Sequence, residues 1–158
     1  MKPKYAALIF ALSAGACVWD RANEYSPDDA LIESEVETAF DQLVSAARAG
    51  DYKRYFSFFD TDTFTALNAD GSTLRSFDAF RETYEPQLGV VQSYKSLKFD
   101  PIYINVIDAN NAILVNEFSA EVVLTSGDVV FASGAGAQFW SRKSGEWKLV
   151  HVSDAQKH

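Results

Sequence analysis

The chain has 158 residues, 14 Lys and Arg against 22 Asp and Glu, a formal charge of −8, and one cysteine. That length suits one domain, since domains run to about 100–150 residues, and 47% hydrophobic with 14% aromatic residues supply a packed core. The acidic excess excludes a nucleic-acid binder, whose partner's phosphates demand a basic surface, and a lone cysteine excludes an internal disulfide or a cysteine-built zinc site.

The first sixteen residues read as an export signal. Lys2 and Lys4 form a short positive region, Tyr5 to Leu12 is apolar, and Ala14-Gly15-Ala16 supplies a small-x-small cleavage site. The apolar run is far shorter than the roughly 20 residues a membrane-spanning helix needs. Cys17 follows that site at once, an arrangement that resembles a bacterial lipoprotein box. The resemblance implies a lipid-modified cysteine and a place in the periplasm or cell envelope. The usual Leu three residues before the cysteine is Ala14 here, and the same bond suits a plain secretory signal. Removing residues 1–16 takes away two lysines and no acids, so the acidity belongs to the mature domain. Residues 17–29 then hold the attachment cysteine and a polar tether.

Ser26-Pro27-Asp28-Asp29 is a helix start: a capping hydroxyl, proline at the first helical position, and acids at the positive helix end. Ile32, Val36, Phe40, Leu43 and Ala47 follow at helical spacing. Gly50 ends this helix, and Asp51 caps a shorter one carrying Tyr52, Tyr55, Phe56 and Phe59. Thr61 to Leu67 suits a short strand, Asn68 to Gly71 a turn, and Ser76 to Glu85 a third helix that Pro86 stops. Branched and aromatic residues then mark strands over Val90–Phe99, Ile102–Ile107, Ala112–Leu124, Val129–Lys143 and Trp147–Ser153, with turn residues between them. Helices first and a meander afterwards predict an α+β fold, the helices covering one face of an antiparallel sheet. Ala132-Ser133-Gly134-Ala135-Gly136-Ala137 puts small residues inside a long strand. Either the sheet bends there and leaves a cavity, or a helix or a second subunit packs closely against that surface.

Local sequence sharpens the expectation. Val36 to Phe59, with Phe40 and Ala49-Gly50-Asp51, resembles the opening helices of the nuclear transport factor 2-like (NTF2-like) superfamily. Ser144-Gly145-Glu146-Trp147-Lys148-Leu149-Val150-His151-Val152 resembles the closing hairpin of its SnoaL-like branch. The resemblance covers residues 30–155. It implies a cone of three helices on a curled sheet, an apolar pocket between them, and homodimers formed through the sheet. The superfamily includes isomerases, cyclases, dehydratases and epoxide hydrolases beside members without catalysis, so fold alone does not choose.

The residues narrow the choice. Counted from Ala49-Gly50-Asp51, the base of a ketosteroid isomerase would fall near Leu67 and its helix tyrosine near Leu43. Both are apolar, and that reaction needs a carboxylate base and an oxyanion site. Where the SnoaL-like branch closes on His-x-His, this chain has His151 and Ser153. His151 is the candidate acid–base residue, with Tyr84 as its partner; the competing reading is a histidine satisfied within the core. Strict alternation gives His151 one face with Trp147 and Leu149 and sends Asp154 to the other. Glu117 and Glu121 share a face that reads as solvated. Tyr55, Phe59, Tyr84, Trp140 and His151 are the expected pocket residues, and Phe80, Tyr94, Phe131 and Phe139 are further rings for pocket or core. No nucleotide-binding loop, nucleophile elbow or metal-ligand spacing is present, so neither cofactor nor metal is expected. The leading expectation is an exported domain that binds a small hydrophobic molecule or a protein partner without catalysis. A lyase or isomerase using His151 is the second reading, and a structural dimerisation module of the cell envelope the third.

Overall fold

The computed structural model describes residues 27–157; the export segment, Cys17, most of the tether, the capping Ser26 and His158 lie outside the described residues. Three helices, α1 (Pro27–Arg48), α2 (Tyr52–Phe56) and α3 (Phe77–Gly89), combine with six strands. The strands are β1 (Thr65–Leu67), β2 (Thr73–Leu74), β3 (Val91–Asp108), β4 (Asn111–Leu124), β5 (Val129–Ser141) and β6 (Lys148–Gln156). One sheet runs in the order β2-β1-β6-β5-β4-β3, antiparallel throughout except where β1 lies parallel to β6. The α+β expectation of helices on a curled sheet holds.

α1 carries Asp28 and Asp29 in its first turn and Arg48 in its last, both favourable to the helix dipole. Its apolar stripe buries Ile32, Val36, Phe40, Leu43 and Val44 against the sheet's concave face, with Ala46 rather than Ala47 at the end. Asp51 caps α2 by accepting from the Arg54 amide, and Ser76 caps α3 by accepting from Ala79. Phe56, Phe59, Phe64, Phe77 and Phe80 close one end of the cone as a cluster of edge-to-face and tilted rings. Trp140, Leu114 and Leu149 complete the core from the sheet, each essentially inaccessible. Burial on that scale stabilises by about 1.5–3 kcal/mol per side chain.

Two expected breaks are absorbed instead. Pro86 lies inside α3, which runs on to Gly89. The amide missing there belongs to the last turn, so only the Glu82 carbonyl loses a helical donor. Asp100-Pro101 is not a turn between two strands but a bulge within the single β3. Phe99 pairs with Phe118 and Ile102 with Asn116, so one extra residue sits on β3 and both flanking side chains stay on the concave face. The short strand expected from Thr61 begins only at Thr65. The closing hairpin is clamped to α1: Glu35 accepts from Arg142 at 2.6 Å and from the Trp147 indole at 3.0 Å, and Arg142 lies over the Trp147 ring.

Candidate functional site

A bulge in β6 decides which side chains enter the cone. Trp140 pairs with Leu149, but its neighbour Phe139 pairs with His151, so Val150 is an extra residue on β6. Alternation resets across that point. Leu149 faces the core with Trp140, whereas His151 falls on the outer, convex face beside Phe139 and Thr65. Three residues later Asp154 therefore faces inward. It shares a cross-strand row with Gly136, Asn116 and Ile102 on the concave side.

Asp154 opens onto a cavity of about 440 Å³ whose walls include Asn68, Leu74, Tyr84, Phe118 and Gln156. Its carboxyl makes no hydrogen bond or ion pair among the described residues. Burial raises its pKa above the ordinary carboxylate value. Tyr55 lies near it. Burial first, then Tyr94, Asp154 and Tyr84, push the Tyr55 phenol far above its usual range, so that hydroxyl stays protonated. It too makes no hydrogen bond among the described residues. Tyr84, raised by burial and then by Asp154, stacks on Phe80 at 4.5 Å and donates its hydroxyl to Asn68 Oδ1 at 3.0 Å. That bond ties the turn between β1 and β2 to α3 at the cavity rim.

The small-residue stretch in β5 makes this arrangement possible. A Cβ at position 134 would lie 2.2 Å from the Ala155 carbonyl oxygen and 2.8 Å from the Phe118 ring. At position 136 it would lie 3.0 Å from Asp154 Oδ1 and 3.8 Å from Asn116 Oδ1. Neither a helix nor a second subunit takes this space; the sheet's own neighbouring strands do, through the Ala155 and Ser153 carbonyls and the Phe118 and Asp154 side chains. The packing seats the carboxyl.

The sequence-predicted site residues are dispersed. His151 is outside the cone, half-buried, with Nδ1 2.8 Å from Thr65 Oγ1; the expected shared face with Leu149 fails because alternation is broken at Val150. Trp140 is fully buried, its indole donating to Gln138 at 3.1 Å, and Phe59 belongs to the packed ring cluster, so neither lines the cavity. Phe131 is 77% exposed on the outer face, and Phe139 lies there with His151. Tyr84 lines the cavity, Tyr55 feels the Asp154 charge without lining it, and Tyr94 shares the concave face. Glu117 and Glu121 are on the outer face as expected, paired with Lys157 and Lys95. Sequence reasoning set Asp154 aside; the alternation of Gly134 and Gly136, which clears one face of β5, is the signal that points to it. Among the described residues no group of three or more His, Cys, Asp or Glu could hold a metal. Two other grooves are of similar size. One lies between α1 and the closing turn beside Trp147, where Glu35 is already engaged, and the other beside Phe131, where Glu121 is paired with Lys95.

Comparison with known proteins agrees with the architecture. No curated protein sequence matches the chain. An NTF2-like superfamily protein from Salmonella enterica superposes with a TM-score of 0.70 at 18% identity, covering 82% of this chain and 93% of that one. The association domain of C. elegans CaMKII gives 0.68 at 15% identity, covering 82% and 99%. A hexachlorocyclohexane dehydrochlorinase from Novosphingobium barchaimii gives 0.67 at 9%, covering 83% and 90%. These identities establish a shared fold. The SnoaL-like domain model matches residues 36–154, nearly the whole described structure, and the chain belongs to that family.

Proposed function

We propose that the cone acts on a small hydrophobic molecule by acid–base chemistry of the lyase or isomerase kind, with Asp154 in the role the sequence suggested for His151. One observation carries this reading: an unpaired, desolvated carboxyl faces the cavity. A carboxyl whose pKa is raised above the ordinary carboxylate value is, once ionised, a stronger base than a free one. Tyr55, held protonated beside it, supplies a hydrogen-bond donor for an oxygen that gains charge. The apolar Leu67 and Leu43 are no obstacle to this chemistry, because Leu67 is on the outer face and Leu43 is core. The dehydrochlorinase neighbour supports the reading only at the level of fold.

A generic carbon acid tests it. Opening of 5-nitrobenzisoxazole requires a base to remove the ring C–H proton while the N–O bond breaks, releasing a coloured phenolate. Saturable turnover, faster than acetate at equal concentration and abolished in Asp154→Asn but not in His151→Gln, is the expected result. No saturable turnover above acetate would discard the catalytic reading. Binding without turnover is the second reading, favoured by the Tyr84 hydroxyl being committed to Asn68.

Two accompanying proposals concern the chain's surroundings. Exposed Tyr103 and Val115 form a row on the outer sheet face with Leu67 across β5 and β6, which supports a homodimer through that face; sedimentation of Val115→Glu tests it. Residues 1–17 support export and lipid attachment at Cys17. Lipid labelling unchanged in Cys17→Ser would overturn the attachment.

A further inference from the structure

The cavity beside Asp154 carries a charge that its own walls do not answer. Two of its lining residues are acids, Asp154 and Asp70, and none is Lys, Arg or His. Lys157, one residue beyond the lining Gln156, is committed to Glu117 on the outer face. Arg75, next to the lining Leu74, is exposed and off the cavity wall. The two acids play different parts. Asp70 is exposed at the rim, and its Oδ1 accepts from the Ser72 amide at 2.8 Å and the Ser72 hydroxyl at 2.6 Å, bonds that lower its pKa and keep it ionised. Asp154 is half-buried over Gly136, without a hydrogen bond or ion pair among the described residues. Both charges reach the Tyr84 hydroxyl, so a molecule beside Tyr84 lies in the field of both. A cleft lined by one sign of charge and walled by protein concentrates that field. An anion is repelled there and a neutral molecule gains nothing from it. A cation replaces the hydration that Asp154 has lost.

The rest of the wall says what the positive group is attached to. Leu74, Tyr84 and Phe118 set apolar and aromatic surface beside the acids, and ring faces attract ammonium groups. A bare metal ion needs several converging ligands, and the described residues offer no group of three or more. The volume of about 440 Å³ falls within the roughly 300–1,000 Å³ of small-molecule sites. We propose that the cavity takes an organic cation, an ammonium group on an apolar or aromatic body, with the Asp154 carboxylate as its counter-ion and Asp70 as the outer charge that draws it in. The proposal names the class of molecule for the cavity described above and rests on that reading, though not on proton transfer by Asp154. It requires the carboxyl in its ordinary ionised form, which an adjacent cation favours.

The probes are 2-naphthylmethylamine, 2-naphthalenemethanol and 2-naphthoate, one ring system carrying a positive, a neutral and a negative group near neutral pH, in fluorescence titrations of the full chain. Wild type is expected to bind the amine about tenfold more tightly than the alcohol, and the naphthoate more weakly than either. That order tests the charge without any variant. Asp154→Asn should bring the amine down to the affinity of the alcohol and leave the alcohol unchanged, and Asp154→Ser should do the same. Asp70→Asn should weaken the amine about twofold at low salt and not at high salt, because an exposed charge is screened. Glu121→Gln, on the outer face, should keep the full preference. Equal affinities of amine and alcohol in wild type would overturn the proposal and leave the cavity reading standing. Binding of none of the three probes would overturn both. A preference that survives in both Asp154 variants, or that falls as far in Glu121→Gln, would reduce it to a general attraction to an acidic chain and remove Asp154 as the counter-ion.

Discussion

His151 and Asp154 sit three residues apart on one strand and lead opposite lives. His151, on the convex face, has its ring nitrogen matched to the Thr65 hydroxyl and its neighbours drawn from the sheet surface. Asp154, on the concave face, is desolvated and has no hydrogen-bonding partner among the described residues. A polar group already satisfied by the protein belongs to its architecture. One that faces a cavity without a protein partner is open to water or to a bound molecule. The residue type more associated with acid–base work thus falls on the wrong side of the sheet, and a single bulge puts it there.

The largest effect that would break this contrast belongs to Asp154→Asn. Turnover of the benzisoxazole should fall by about 10²–10⁴-fold, the usual worth of a positioned base. Stability should move the other way. Burial raises the folded-state pKa of Asp154, so the folded chain holds the proton more tightly than the unfolded one. The associated stability is fully present below the unfolded value, near 3.9, and is lost as pH rises through the folded pKa. Urea melts between pH 3 and 8 should show this decline in wild type and a flatter profile in Asp154→Asn. An unchanged profile would mean the carboxyl is not desolvated.

The two glycines of β5 sharpen the comparison between scaffold and site. Gly134→Ala drives a methyl into the Ala155 backbone carbonyl, which cannot step aside without moving β6, and should destabilise by about 1–3 kcal/mol. Gly136→Ala meets the end of the Asp154 side chain, which can rotate, so the fold should lose less than about 1 kcal/mol while benzisoxazole turnover drops. Urea unfolding beside the turnover assay separates the two. Equal stability losses would show that Asp154 is as rigidly held as backbone.

Most of the fold is legible in the sequence because its signals are local. The α1 stripe, the Asp51 and Ser76 caps and the turns near Asn110, Gly127 and Gly145 all follow from residues a few positions apart. What escapes is the phase of the strands. Asp100-Pro101 reads as a turn, yet β4 lies alongside and supplies pairing on both sides, so the chain bulges and continues. The same kind of step at Val150 depends on Trp140 and Leu149 pairing across strands, which no window of sequence displays. An error of one residue reverses every later side chain. The strand residues inherit that error in full: His151 and Asp154 exchange faces, whereas Tyr84, carried on a helix, stays beside the cavity.

A moderate effect is expected at the clamp that holds the closing hairpin, remote from the cavity. Glu35→Ala leaves Arg142 and the Trp147 indole without their shared acceptor. All three groups are partly exposed, so water replaces much of what is lost and the expected destabilisation is about 1 kcal/mol by urea melt. Benzisoxazole turnover should stay at the wild-type value. A change in it would couple α1 to the cavity and weaken the division between scaffold and site.

The smallest effect tests the other half of the opening contrast. His151→Ala removes one hydrogen bond, to Thr65, at a half-buried position of the outer face. The net worth of such a bond is about 0.5–1.5 kcal/mol, and the lower end applies where Thr65 can turn its hydroxyl to solvent. Benzisoxazole turnover should match wild type, because the imidazole is separated from Asp154 by the thickness of the sheet. The double variant His151→Ala with Thr65→Val isolates the pair, since removing both partners together should destabilise less than the two single losses summed. A fall in turnover beyond threefold in His151→Ala, at unchanged stability, would return the histidine to the chemistry. It would do so only through β6 itself, by shifting the strand on which Asp154 is mounted.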